Sequence, residues 1–210
     1  MKKEHLCAIE QFMLENAAVA AHESDHIYRV LNHALIIAKD YDVNEDILVA
    51  ACLLHDIGRP AQFADPRVCH AQVGSEIAYK FLKELGWNED YCLQVKHCVL
   101  THRFNNDMQP ETIEAKILFD ADKLDLCGAL GIGRTIQYEG KMDYPLSEFL
   151  SYYNTKLIKL YDLFYTEKAE QLAQNDKIIS MMFYNALKDQ LDQSEAQNWL
   201  KSAKRINEES

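Results

Sequence analysis

A chain of 210 residues, 48% hydrophobic and 26% charged, has the material for one sizeable core without disulfide or metal staples. Its formal net charge of −11, with no run of Lys and Arg, excludes a general binder of nucleic-acid polymers. A small anionic substrate stays compatible with that charge, because a metal and a few local cations can reverse the field inside one pocket.

Glycine (7) and proline (4) are scarce, which disfavours a turn-rich β fold, and helical periodicity runs from end to end. A first helix covers about residues 3 to 20. Ser24 caps a second, whose apolar stripe is Ile27, Val30, Leu31, Ala34, Leu35 and Ala38. Asn44 precedes a third, NEDILVAACLLHD, apolar nearly all round and therefore central, which Gly58 and Pro60 end. VCHAQVGSEIAYKFLKEL forms a fourth helix closed by Gly86. Asn88 caps a fifth running through LQVKHCVLTH, and Pro110 opens a sixth, ETIEAKILFDADKLD. The glycines at 128, 131 and 133 mark a break, followed by a loop around Gly140 and Pro145. From Ser147 onward two long amphipathic helices lie back to back with a boundary at Thr166, and only KRINEES looks frayed. The pattern predicts an all-α, single-domain chain over 1–210, with a core at about 20–130 and C-terminal helices at about 147–200.

The six cysteines, Cys7, Cys52, Cys69, Cys92, Cys98 and Cys127, have no C-x-x-C spacing and sit mostly among apolar residues, as buried free thiols do in a reducing cytoplasm. MKKEHLCAIEQF lacks the apolar block of a signal peptide, and no stretch approaches the roughly 18 apolar residues of a membrane span. A cytoplasmic protein with no membrane partner is the expectation.

The sharpest local feature is His55-Asp56, at the end of the most apolar helix. Burying an ionisable pair beside LVAACLL is costly without compensation, and a divalent cation compensates both groups. Two ligands hold a metal weakly. His26, on the second helix, and Asp122, flanked by Ala121 and Leu124, are polar groups on otherwise core-like segments and are the best further candidates. Asp120 and Asp125 compete with Asp122 on composition.

The ordered set H…HD…D, written here as HIYRV, LLHDIGRP and ILFDADKLD, resembles the HD-domain superfamily of metal-dependent phosphohydrolases, over about residues 20 to 130. DADKLDLCGALGIGRT and FYTEKA are similar to a branch of small stand-alone HD hydrolases. The resemblance implies a compact helical bundle with a C-terminal helical extension, and a metal held by His26, His55, Asp56 and Asp122. The family's Ala-Asp-Lys-Leu-Asp run, Ala121 to Asp125 here, selects Asp122. It further implies hydrolysis of a small phosphate ester, a nucleotide first, by water activated on one divalent ion (Mn, Fe, Co, Ni, Zn or Mg), with Asp56 and Lys123 catalytic.

Lys123, Arg59 and Arg29 are the cations near these ligands that would bind substrate phosphate. His70 and His102 match positions where many HD proteins carry extra histidines, ligands of a second ion in two-metal members. Here the position of their His-His pair reads His102-Arg103, which favours one metal and leaves His70 and His102 as phosphate donors or proton-transfer groups. His22 and His26 in HESDH match the bare H-E-x-x-H pattern of zinc proteases, but at a helix start rather than on a packed helix middle. An HD-fold di-iron oxygenase and a non-catalytic metal- or nucleotide-binding module are the alternatives. Hydrolysis of the stringent-response alarmone is disfavoured, because Ile57-Gly58-Arg59-Pro60 stands where those members follow His-Asp with an acidic pair. Gly128 to Pro145 is placed as a lid or pocket wall, and the apolar C-terminal helices allow a homodimer without requiring one.

Overall fold

The computed structural model describes residues 1–17, 23–103 and 108–208, and no strand occurs among them. Helix α1 (Lys3–Ala17) is followed by α2 (Glu23–Ala38) and α3 (Glu45–Leu54). Ser24 therefore lies in the first turn of α2 rather than capping it. Asn44 does cap α3, its side-chain oxygen accepting from Asp46 N (3.1 Å) and Ile47 N (3.3 Å). Every residue from Ile47 to Leu54 except Val49 is buried, and α3 packs among α1, α2, α6 and α7. Being apolar all round is thus what places His55 and Asp56 inside the protein. The buried stripe of α2 is Ile27, Val30, Ala34 and Ile37, whereas Leu35 is exposed, so the stripe turns toward Ile37.

Pro60 opens the short α4 (Arg59–Ala64) as well as ending the turn after α3, since its missing N–H is harmless in a first turn. Next come α5 (His70–Glu84), α6 (Glu89–Thr101) and α7 (Ile113–Leu124). Gly86, at φ +84°, terminates α5 in the left-handed conformation, and Asn88 caps α6 by accepting from Tyr91 N (2.8 Å). Thr112, two residues after Pro110, caps α7 by accepting from Ala115 N (3.2 Å).

The expected break at Gly128, Gly131 and Gly133 is instead a helix, α8 (Gly128–Lys141), packed against α11 (Glu167–Gln190). Intrinsic glycine propensity is overridden there by tertiary packing. Between them α9 (Leu146–Tyr152), a π-helical turn at Tyr153–Leu157 and α10 (Ile158–Leu160) run on without a gap. Thr166 caps α11, as its position in the sequence suggests. A further helix, α12 (Ser194–Glu208), contains most of the terminal segment read as frayed, so three helical stretches replace the two expected.

The main core runs through α1–α3, α5–α7 and the start of α11. A smaller cluster, Ile132, Phe149, Tyr153, Leu157 and Leu160, ties α8 to the α9–α10 stretch. All six cysteines are free, and Cys52, Cys92, Cys98 and Cys127 are buried. No described helix is long and apolar enough to cross a membrane.

Candidate metal centre

His55 and Asp56 follow the last residue of α3, and the turn beyond them is pinned by a glycine. A Cβ on Gly58 would collide with the carbonyl oxygen of His70 and sit 2.7 Å from Gly74 N. The close approach of the two chain segments that glycine permits carries His70, the first residue of α5, up to Asp56. His102 arrives from the end of α6, His26 from α2 and Asp122 from α7.

Four imidazoles converge on one carboxylate. Asp56 Oδ2 lies 3.7 Å from His26 Nε2 and 3.6 Å from His55 Nε2, while Oδ1 lies 3.2 Å from His70 Nε2 and 3.6 Å from His102 Nε2. Each ring has its other nitrogen committed to an acceptor. Nδ1 donates to Asp125 Oδ2 (2.6 Å) from His26, to the Cys52 carbonyl (2.8 Å) from His55, to Gln62 Oε1 (2.7 Å) from His70 and to the Val99 carbonyl (2.6 Å) from His102. Carbonyl oxygens only accept, so His55, His70 and His102 carry their proton on Nδ1 and turn an Nε2 lone pair inward. Burial pushes His55 and His70 down to about 4, which keeps both in this neutral, ligating form.

Such an arrangement fits a cation and little else. Lone pairs face each other across 3.2 Å between His70 and His102, and the His55 lone pair lies 3.4 Å from His26 Nε2. Asp56 Oδ1 is buried and accepts no well-formed hydrogen bond, although Arg59 Nε is only 3.0 Å away. Two triads result, His26–His55–Asp56 and Asp56–His70–His102, in each of which the ligand atoms lie within 4.8 Å of one another. Asp122 Oδ1 extends the first, 3.3 Å from His26 Nε2. Burial opposes ionisation of Asp56 and Asp122. Arg59 beside the former and Lys123 beside the latter nevertheless hold both well below the usual carboxylate range. Burial likewise opposes a charge on His26, yet its hydrogen bonds to Asp122 and Asp125 carry it up to about 9. A divalent ion would answer the same carboxylates and take that proton's place.

The three acids at the end of α7 divide the work. Asp122 faces the imidazoles. Asp120 points away, accepting from Tyr165 N (2.9 Å), Thr166 N (2.8 Å) and Thr166 Oγ1 (2.6 Å), and so anchors the start of α11. Asp125, fully buried, orients His26 and is held by Arg29 Nε (2.6 Å) and by Arg134. Sequence composition gave no means of separating Asp125 from Asp122. Arg134, in the glycine-containing segment, carried no signal beyond being a lone cation there.

Arg29 is thus occupied by Asp125 and does not border the cavity that the other expected phosphate-binding residues share. Arg59, His70, His102 and Lys123 all border a cavity of about 380 Å³ with Asp122, and Arg103 and Lys156 join them. Lys123 Nζ donates to Asp122 Oδ2 (2.7 Å) and the His102 carbonyl (2.9 Å), which leaves one N–H. His22 lies outside the described residues, and His26 stands in the His/Asp cluster with His55 and Asp56.

Fold and site together define an α-helical protein with a buried His/Asp cluster that could hold a divalent ion. Residues 24–127 match the HD domain family, and the chain belongs to the HD-domain superfamily. The uncharacterised protein YpgQ of Bacillus subtilis (strain 168) is 25% identical over 177 residues, covering 80% of this chain and 83% of that protein. The crystal structure of B. subtilis YpgQ in complex with ADP superposes with a TM-score of 0.72 at 23% identity, covering 90% of this chain and 98% of that one. A Bacillus thuringiensis HD-superfamily hydrolase gives a TM-score of 0.71 at 28% identity, with 90% and 98% covered.

Proposed function

We propose that the chain is a metal-dependent phosphohydrolase that cleaves a small phosphate ester, a nucleotide first among candidates. The observation that carries this reading is the convergence of four imidazole Nε2 atoms on Asp56, beside a cavity bordered by Arg59, Arg103, Lys123 and Lys156. The ADP held by the structurally similar YpgQ supports a nucleotide, though only as an analogy of fold. A divalent ion held by His26, His55, Asp56 and Asp122 supplies an acidified water and offsets phosphoryl charge when bound. The chain itself orients those ligands through Asp125, Cys52 O and Lys123, and offers Arg59, Arg103 and Lys156 to phosphate oxygens. In Arg59 that role competes with its ion pair to Asp56.

A second cation, between Asp56, His70 and His102, is favoured by one specific observation. Both imidazoles present lone pairs, so neither can donate through Nε2 to a phosphate or to Asp56. On this reading the two histidines are ligands rather than the phosphate donors expected for a one-metal site, despite Arg103 in place of a further histidine. A homodimer belongs to the same proposal. Ile178, Ile179, Met181 and Met182 on α11 and Trp199 on α12 are exposed, and a second copy would cover them. Sedimentation equilibrium returning a monomer mass removes that part.

The test is release of phosphate or pyrophosphate from a panel of nucleotides and sugar phosphates with added Mn²⁺, comparing wild type with Asp56→Ala. Turnover lost in the variant supports the hydrolase. A folded, metal-loaded protein inactive on the panel rejects it and directs the search to oxygen consumption.

A further inference from the structure

A second cavity, of about 510 Å³, adjoins the metal side and shares Arg59, Leu126 and Tyr152 with it. Its chemistry differs. Beside Arg134 and the shared Arg59, this one is bordered by Tyr138, Tyr144 and Tyr152 together with Thr135, Glu139 and Glu148. The three tyrosines are 63%, 53% and 39% exposed, a large area of aromatic surface around one opening. Flat rings and an apolar Leu126 suit a flat, aromatic ligand group, which stacks on them without needing a particular hydrogen-bond pattern.

Glu139 supplies the pattern. Its side chain, on α8, is only 7% exposed, and Oε2 is buried with no hydrogen-bond partner. An unpaired buried carboxylate is costly unless a ligand donor satisfies it. Burial, reinforced by the charge of Glu148, pushes its carboxyl up, as expected of a group lacking a donor of its own. Glu139 stands five residues beyond Arg134, which grips Asp125 behind the metal ligand His26. Both border this cavity, which meets the metal side at Arg59, Leu126 and Tyr152.

We infer that this cavity seats the base of a nucleotide whose phosphates lie at the metal side, and that Glu139 reads a guanine-type edge of two adjacent N–H donors. The inference rests on the nucleotide-hydrolase reading and names its substrate class. A carboxylate only accepts, so it pairs with guanine N1–H and N2–H together. Adenine sets its ring acceptor N1 beside its amino donor, and that acceptor meets the carboxylate unfavourably.

Calorimetric binding of guanosine and adenosine to the full chain in EDTA tests this, because neither ligand carries a phosphate and no metal takes part. Wild type should bind guanosine about 10-fold or more tightly than adenosine, the value of a charge-assisted hydrogen bond. Glu139→Gln should erase or reverse that ratio, since an amide offers one donor and one acceptor and matches adenine. Equal affinities in the wild type, no binding of either nucleoside at millimolar concentration, or an unchanged ratio in the variant each overturn the assignment. Any of these leaves the hydrolase reading standing, whereas guanosine binding without turnover of any nucleotide fails the hydrolase alone.

Discussion

His70 and His102 meet through Nε2 atoms 3.2 Å apart, and each has given its only imidazole proton to an acceptor on the far side of its ring. Two lone pairs at that distance repel, and a shared cation removes the repulsion. Metal analysis of protein loaded with Mn²⁺ and freed of excess should therefore find two ions per chain in wild type and one in His102→Ala. A single ion in both would assign His70 and His102 to another task.

Asp125→Asn should weaken Mn²⁺ binding about 10- to 100-fold, as loss of a partner behind a ligating histidine does. The amide can still accept from His26 Nδ1 but no longer carries the charge that Arg29 and Arg134 hold. Titration followed by the spectrum of free Mn²⁺ reads this directly. Unchanged affinity would mean that Asp125 acts only in folding.

Asp120→Ala separates the neighbouring acids. It strands two backbone N–H groups and the Thr166 hydroxyl at the start of α11, costing about 3 kcal/mol, or roughly 6–12 °C in Tm. Mn²⁺ affinity should stay at the wild-type value, whereas Asp122→Ala should lose metal. A fall in affinity for the Asp120 variant would contradict the division of labour among Asp120, Asp122 and Asp125.

Gly58→Ala should destabilise by about 1–3 kcal/mol, the usual cost of overpacking, and also lower activity, because the added methyl pushes against the His70 carbonyl. Thermal melts and turnover measured together check both halves. Gly133→Ala, with open space around its added methyl, is the matched control.

Burial raises the Cys98 and Cys127 thiols to about 12 from an ordinary value of 9.0, and Cys52 higher still. A raised folded-state value means that the contribution to stability is complete below pH 9 and is lost as pH climbs toward 12. Denaturant midpoints should thus decline above pH 9, less steeply in Cys98→Ala. Alkylation of the native chain at pH 8 should reach Cys7 and Cys69 and spare the four buried thiols until unfolding.

Much of the site can be read from the chain because its ligands violate their surroundings. His55 and Asp56 interrupt the most apolar helix, and His26 and Asp122 stand among core residues, so burial and polarity conflict visibly at each. Asp125 shows no such conflict relative to Asp122. Its role is fixed by a hydrogen bond to a residue 99 positions away, and periodicity holds no record of that contact. Glu139 was hidden differently. Three glycines suggested a broken segment, and a glutamate in a loop carries no expectation of burial. Only the packing of α8 against its neighbours α9 and α11 gives it a buried position.

The π-helical turn at Tyr153–Leu157 has a consequence for how this stretch can change over evolutionary time. Tyr152 borders both cavities. Beyond it Lys156, Leu157 and Leu160 reach the metal side, while Thr155 stays with the tyrosines. Rewinding the same residues as ordinary α-helix would rotate everything downstream by roughly a quarter turn, which deletion of one residue would offset. Leu160 would then swing away from the metal side even though every side chain was kept. Substitutions can be tried here one at a time, but the wide winding of the segment is what divides a single cleft into two chemically distinct halves.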